Sequence, residues 1–151
     1  GNAGEIGHIP VPAGGKSMPL ESMVSRLSLI QALNADGLAA ESVDALDQLY
    51  IAETPTVMAW LERARDPLGA AISIIENLFD PGAVILGGAM PDSILDHLIK
   101  DLTLIEKSVS NRTDRKTARL LRGTSGRMTA TLGAAALVIN QTFTPKIAVE
   151  A

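Results

Sequence analysis

The sequence predicts an α/β layered domain, and three observations carry the prediction. Apolar residues recur at steps of three or four through several stretches, short wholly apolar runs lie between them, and glycine or proline closes most of the segments. With 151 residues and 46% hydrophobic content, the chain can bury a sizeable core. Aromatic residues make up only 3% of it, so that core is expected to be built from Ala, Ile, Leu and Val in closely packed helices.

In chain order, residues 4–11 read as a strand and turn that ends at Pro10 and Pro12. Glu21 to Leu33 carries Met23, Val24, Leu27, Ile30 and Leu33 at helical spacing and stops at Asn34-Ala35-Asp36-Gly37. Ser42 can cap a second helix by accepting from an orphan backbone N–H, which places Val43, Leu46, Leu49 and Tyr50 on one face. Thr56 to Phe79 is the longest helical stretch; a kink is expected at Pro67, where the ring removes a backbone donor, and Asp80-Pro81-Gly82 ends it. Ala83 to Leu86 is apolar throughout and reads as a buried strand of a parallel sheet. Pro91 or Asp92 begins a helix through Ile94, Leu95, Leu98 and Leu102, and Ala118 to Leu121 reads as a strand. Ser125 to Phe143 is a helix of small residues, expected to lie very close to its neighbours around Gly133-Ala134-Ala135-Ala136.

Charge and composition remove several classes. A net charge of −4 argues against nonspecific nucleic-acid binding by this segment. The longest apolar stretches, around Leu68 to Leu78 and Thr129 to Ile139, are too short and too interrupted to cross a membrane. The absence of cysteine excludes disulfides and thiolate metal sites and suits a cytoplasmic location. Because the chain begins without Met, inside a motif, further residues are expected upstream.

Four features bear on function. Gly4-Glu5-Ile6-Gly7-His8 sets a carboxylate and an imidazole three residues apart among glycines, and Glu21 follows after Gly14-Gly15. Carboxylates accept hydrogen bonds from hydroxyl groups and histidine can donate or accept, so these residues suit a sugar; a plain surface turn and a helix N-terminal acid are the alternatives. Gly87-Gly88 follows the apolar run, where missing side chains allow a ligand or another backbone to come close, or simply a tight turn to form. The basic run Arg112, Arg115, Lys116, Arg119, Arg122 and Arg127 reads as a solvated face rather than a phosphate site.

Three motifs in order, Asn2-Ala3-Gly4-Glu5-Ile6-Gly7-His8, Asp80-Pro81-Gly82-Ala83-Val84-Ile85-Leu86-Gly87-Gly88 and Leu132-Gly133-Ala134-Ala135-Ala136-Leu137, resemble the C-terminal half of the ROK family of sugar kinases and sugar-responsive repressors. The resemblance covers roughly residues 1–143 and implies an actin-like ATPase (ribonuclease H-like) lobe spanning 1–151, a short sheet with packed helices that lacks its N-terminal lobe. It implies that Glu5, His8 and Glu21 face sugar hydroxyls and that Gly87 and Gly88 lie on the nucleotide side. Where the family places a Cys-x-Cys-Gly-x-x-Gly-Cys-x-Glu segment that joins the histidine in holding zinc, this chain has Ala13-Gly14-Gly15-Lys16-Ser17-Met18-Pro19-Leu20-Glu21, so no metal is expected and the ring of His8 loses a scaffold.

The family's kinases also need an Asp-x-Gly-x-Thr phosphate loop and a catalytic Asp as proton acceptor, and these 151 residues contain neither. This segment alone is therefore not expected to catalyse phosphoryl transfer and holds no cofactor of its own; ATP and magnesium enter only if the intact protein is a kinase. The resemblance leaves two classes, and the lost zinc segment, by relaxing the constraint on kinase geometry, favours the sugar-sensing lobe of a transcriptional regulator, with a hexose or N-acetylhexosamine kinase as the alternative and a structural or oligomerising remnant as a third. It implies a small-molecule sugar as ligand, a homo-oligomer, DNA contact only through an upstream domain, and no membrane partner.

Overall fold

The computed structural model describes residues 4–13, 15–102, 104, 108–109, 111–112, 116–124 and 129–143. The chain enters through one 3-10 turn, Ile6–His8, and continues into an antiparallel hairpin, β1 (Pro10–Ala13) and β2 (Lys16–Pro19), with Val11 opposite Met18. The strand expected over 4–11 thus begins only at Pro10. Local bonds account for the difference: Ile6 N–H reaches Gly4 O at 2.9 Å, His8 N–H reaches Glu5 O at 3.1 Å and Ile9 N–H reaches Ile6 O at 3.1 Å, so the turn satisfies its own backbone. Two-stranded ribbons leave each strand an open edge, which is where prolines such as Pro10 and Pro12 are tolerated.

The helix expected from Glu21 to Leu33 is broken into α1 (Glu21–Val24) and α2 (Arg26–Ala35). Ser25 adopts extended backbone, φ −79° and ψ 157°, and its side chain accepts from the N–H of Ser28. A serine hydroxyl competes for backbone groups and is favoured at an N-cap over a helix interior, so one apolar stripe becomes two helices. Leu27 consequently points to solvent, while Leu29 and Leu33 are buried. As expected, Ser42 caps α3 (Val43–Ile51), accepting from Ala45 N–H at 3.0 Å.

The 25-residue α4 (Pro55–Phe79) is the axis of the molecule; it continues through Pro67 and touches α1, α2, α3 and β1. Asp80 stops it in the left-handed region, φ 43° and ψ 53°. Next come β3 (Val84–Leu86), α5 (Asp92–Asp101) and β4 (Leu120–Arg122); β3 and β4 pair in parallel, Val84 opposite Leu120 and Leu86 opposite Arg122. The core lies between α2, α3, α4 and α5, with Leu29, Leu33, Leu46, Val57, Ile72 and Ile94 fully buried. Its largest side chain is the single tryptophan, Trp60, 1% exposed, whose indole N–H donates to Ser28 Oγ at 2.9 Å. Around it the core is built of Ala, Ile, Leu and Val as expected, with Met90 the one other exception. Between α3 and α5, the Tyr50 hydroxyl meets His97 Nδ1 at 3.1 Å and His97 Nε2 meets Asp101 at 3.2 Å.

Two expectations fail on packing. The strand Val84–Leu86 is covered on one side only, with Ile85 67% exposed on the other. The C-terminal helix α6 (Thr129–Phe143) forms, but its residues 131–140 are all exposed and a Cβ built on Gly133 would meet nothing within 4 Å. Small side chains permit close approach without compelling it. No helix among the described residues is long and apolar enough to cross a membrane.

Candidate functional site

The hairpin assembles the first group of candidate residues. Its two strands end with Leu20 N–H donating to Ile9 O at 2.9 Å, which returns the chain from the 3-10 turn to the start of α1. Val11, Leu20 and Ala71 form a small buried cluster beneath, with Ile6, Met23 and Val24 packed on it, so the hairpin is seated on α4. Glu21, the first residue of α1, then lies directly over Gly7: a Cβ on that glycine would sit 3.3 Å from Glu21 Cβ and 3.5 Å from Glu21 Oε2. Glu21 is thereby placed against the turn that holds Glu5 and His8. All three side chains are exposed, and among the described residues none is engaged in a hydrogen bond or ion pair.

Glu5 and His8 also form the polar lip of a cleft of about 580 Å³ between the turn and the last two helical turns of α4. Its opposite wall is apolar: Ile74, Ile75, Leu78 and Phe79. Glu21 is not one of its lining residues. A zinc ion does not fit the segment. Among the described residues, no three His, Cys, Asp or Glu side chains converge, and the stretch after His8 is held by the β1–β2 ladder and the buried Val11 and Leu20.

The second group lies at the carboxyl ends of the parallel strands, where ligands of open α/β sheets collect. Gly87 follows β3, Gly88 has a φ of 136°, and Gly123 follows β4. Gly123 N–H donates to Leu86 O at 2.8 Å, and a Cβ on Gly123 would come within 3.0 Å of Ile85 Cγ2 and 3.7 Å of Gly87 Cα. Gly123 is the residue that the sequence reading missed. Its signal was present as the first glycine after the second apolar strand, in register with Gly87.

Beside these glycines Arg122 pairs with Asp92 and, at 2.7 Å, with Asp96, both on α5. Its guanidinium is held above its usual pKa, chiefly by the bond to Asp96, with both carboxylate charges adding to the effect. The other arginines of the basic run are tied down as well. Arg119 forks onto Glu76, Nε to Oε1 at 2.8 Å and Nη2 to Oε2 at 2.6 Å, and Ser108 Oγ donates to the same Oε2 at 2.7 Å. That bond to Glu76 also raises the Arg119 pKa, against the lowering effect of burial. Arg112 pairs with Asp80. The expectation of a solvated face fails for Arg119, whose side chain is largely covered against Glu76, while Arg112, Lys116 and Arg122 are exposed, Arg112 and Arg122 in surface ion pairs; Arg115 and Arg127 lie outside the described residues.

These features sit on an actin-like ATPase fold. The chain is similar to the crystal structure of a ROK hexokinase from Thermus thermophilus, with a TM-score of 0.56 and 22% identity, covering 92% of this chain and 49% of that one. The ROK family model matches residues 1–141, and the chain belongs to the ROK family. It is also 27% identical over 74 residues to the uncharacterized protein y4fQ of Sinorhizobium fredii (strain NBRC 101917 / NGR234), a match that covers 49% of this chain and 19% of that protein. The chain thus spans about half the length of the hexokinase, and its match reaches about a fifth of y4fQ.

Proposed function

We propose that this chain is the sugar-contacting C-terminal lobe of a ROK transcriptional regulator, one that senses a hexose or N-acetylhexosamine and meets DNA only through another domain of a homo-oligomeric protein. The observation that carries this reading is the placement of Glu21 over Gly7, beside Glu5 and His8, with all three side chains uncommitted. Unpaired carboxylates within reach of one turn are suited to accept from vicinal hydroxyls, and hydrogen bonds to charged groups are among the stronger ones.

Two features favour sensing over phosphorylation. A hydrogen-bonded hairpin stands where the family resemblance implies a zinc segment, so the scaffold around His8 has been rebuilt. At the Gly87-Gly88 end, Arg122 is already matched by two carboxylates, and a nucleotide's phosphates would have to compete with Asp92 and Asp96 for it. The kinase reading is supported by the likeness to a hexokinase, and in it ATP and magnesium would be bound with the help of residues beyond this segment.

Calorimetric titration of the intact protein with a panel of hexoses and N-acetylhexosamines, followed by a turnover assay with ATP and magnesium, separates the readings. Sugar binding without turnover is the expected result. Phosphorylation of the bound sugar would replace the regulator with the kinase, and no binding of any sugar would overturn the site.

A further inference from the structure

Glycine stands at position 7 without a backbone reason. Gly4 and Gly15 have φ of 92° and 80°, and a Cβ built on either meets nothing within 4 Å, so conformational freedom accounts for both of them. Gly7 is different. It has no positive φ and lies inside the 3-10 turn Ile6–His8, where an L side chain fits the backbone and glycine only adds entropy to the unfolded chain. What a side chain there would meet is Glu21: the three nearest atoms are its Cβ at 3.3 Å, its Oε2 at 3.5 Å and its Cγ at 3.9 Å.

The backbone on both sides of this contact is pinned. The turn closes on its own hydrogen bonds, and on the other side Leu20 N–H donates to Ile9 O at 2.9 Å, Ser22 Oγ to Pro19 O at 2.6 Å and Ser25 N–H to Glu21 O at 3.1 Å. Leu20, 3% exposed, anchors the start of α1 in the small cluster with Val11 and Ala71. The group left free to yield is the Glu21 side chain, which no bond among the described residues holds. Because that side chain already covers Gly7, the missing Cβ makes room for a carboxylate rather than for a ligand approaching the main chain.

Resting on the sugar reading of Glu5 and Glu21, we infer that Gly7 is a positioning residue of the site: its missing side chain lets the Glu21 carboxylate stand beside the turn that carries Glu5 and His8, and a side chain at 7 turns that carboxylate aside. Binding groups have to be held within about 0.5 Å of their productive geometry, so a displacement of this order is enough to weaken recognition. A single methyl group supplies it.

The test is a double-mutant cycle on the intact protein: wild type, Gly7→Ala, Glu21→Ala and the double variant, titrated calorimetrically with glucose, galactose, mannose and N-acetylglucosamine, the tightest of these for the wild type being carried through. Gly7→Ala is expected to weaken binding roughly three- to tenfold, less than removal of Glu21 does. In the Glu21→Ala background the same substitution should change affinity no further, and the melting temperature should stay level or rise slightly with Gly7→Ala. Wild-type affinity in Gly7→Ala, beside a loss in Glu21→Ala, would overturn this inference and leave the sugar site standing. An equal loss from Gly7→Ala in both backgrounds would make Gly7 act independently of Glu21, which also overturns it. A melting temperature lowered by several degrees in both backgrounds would make Gly7 a residue of the fold and sink the inference on that ground. Failure of every sugar to bind the wild type would overturn both readings.

Discussion

Glu76 in the last turns of α4, and Glu5 with Glu21 at the turn before the hairpin, are carboxylates whose surroundings differ in the respects that decide their use. The Glu76 side chain is 2% exposed and fills its acceptor sites with a forked arginine and a serine hydroxyl. Glu5 and Glu21 are exposed, near each other through Gly7, and have no protein partner among the described residues. A buried carboxylate that kept an unmatched charge would cost several kcal/mol, so it must be neutralised by its own protein; an exposed one is under no such demand and stays available to a ligand. Partner accounting therefore separates an acid committed to the fold from one left open, where residue type cannot.

The largest expected effect breaks the structural side. Arg119→Ala strands Glu76 without its counter-charge and should destabilise the chain by about 3–5 kcal/mol, read from urea denaturation. Retention of wild-type stability would show that Glu76 is solvated and that the contrast is false. Because the Arg119 pKa is raised, the stabilisation it brings is fully present below its ordinary value and is lost only as pH rises through the elevated one, beyond the range of neutral buffers.

On the recognition side, Glu5→Ala and Glu21→Ala in the intact protein should each weaken sugar binding by roughly 10- to 100-fold, the equivalent of about 1.5–3 kcal/mol, with stability nearly unchanged. Normal affinity in both variants would remove the sugar site. His8→Ala should cost less than either, since no bond among the described residues anchors its ring; calorimetry on the same titration series compares the three. Trp60→Phe sharpens the contrast from inside the core: it removes the donor to Ser28 Oγ and should cost about 1–3 kcal/mol in stability with sugar affinity untouched. Smallest is Gly133→Leu. In this 151-residue chain it should shift stability by no more than about 0.5 kcal/mol, because the added side chain meets open space. A loss of 1 kcal/mol or more in thermal or urea unfolding would place α6 against a neighbour.

Much of this molecule could be read from residue order, and particular failures show where reading stops. The spacing of Val57, Leu61, Ala64, Leu68 and Ile72 specified α4, and the hydroxyl of Ser42 specified the start of α3. Ser25 carried the same capping chemistry as Ser42 but was hidden inside an apolar stripe, and a stripe cannot announce that a hydroxyl within it will win a backbone donor. Gly123 had no motif of its own; its role follows from the parallel register that sets it beside Gly87. The basic run read as a face because sequence distance separates Arg119 from Glu76 and Arg122 from Asp96, and only the fold brings the partners together.

By itself, then, the sequence determined the α/β class, the helices other than the one that Ser25 breaks, the two short strands near Val84 and Leu120, and the residue types at the candidate sugar site, since all of these depend on local periodicity, capping and backbone freedom. Tertiary structure alone decided which charges are spent on each other and which remain open, that Glu21 lies over Gly7, and that the end of α4 turns an apolar wall toward Glu5 and His8. Those outcomes depend on contacts between segments far apart in the chain, whose energies are set by burial and by the partner that arrives, and neither quantity is written in the neighbourhood of a single residue.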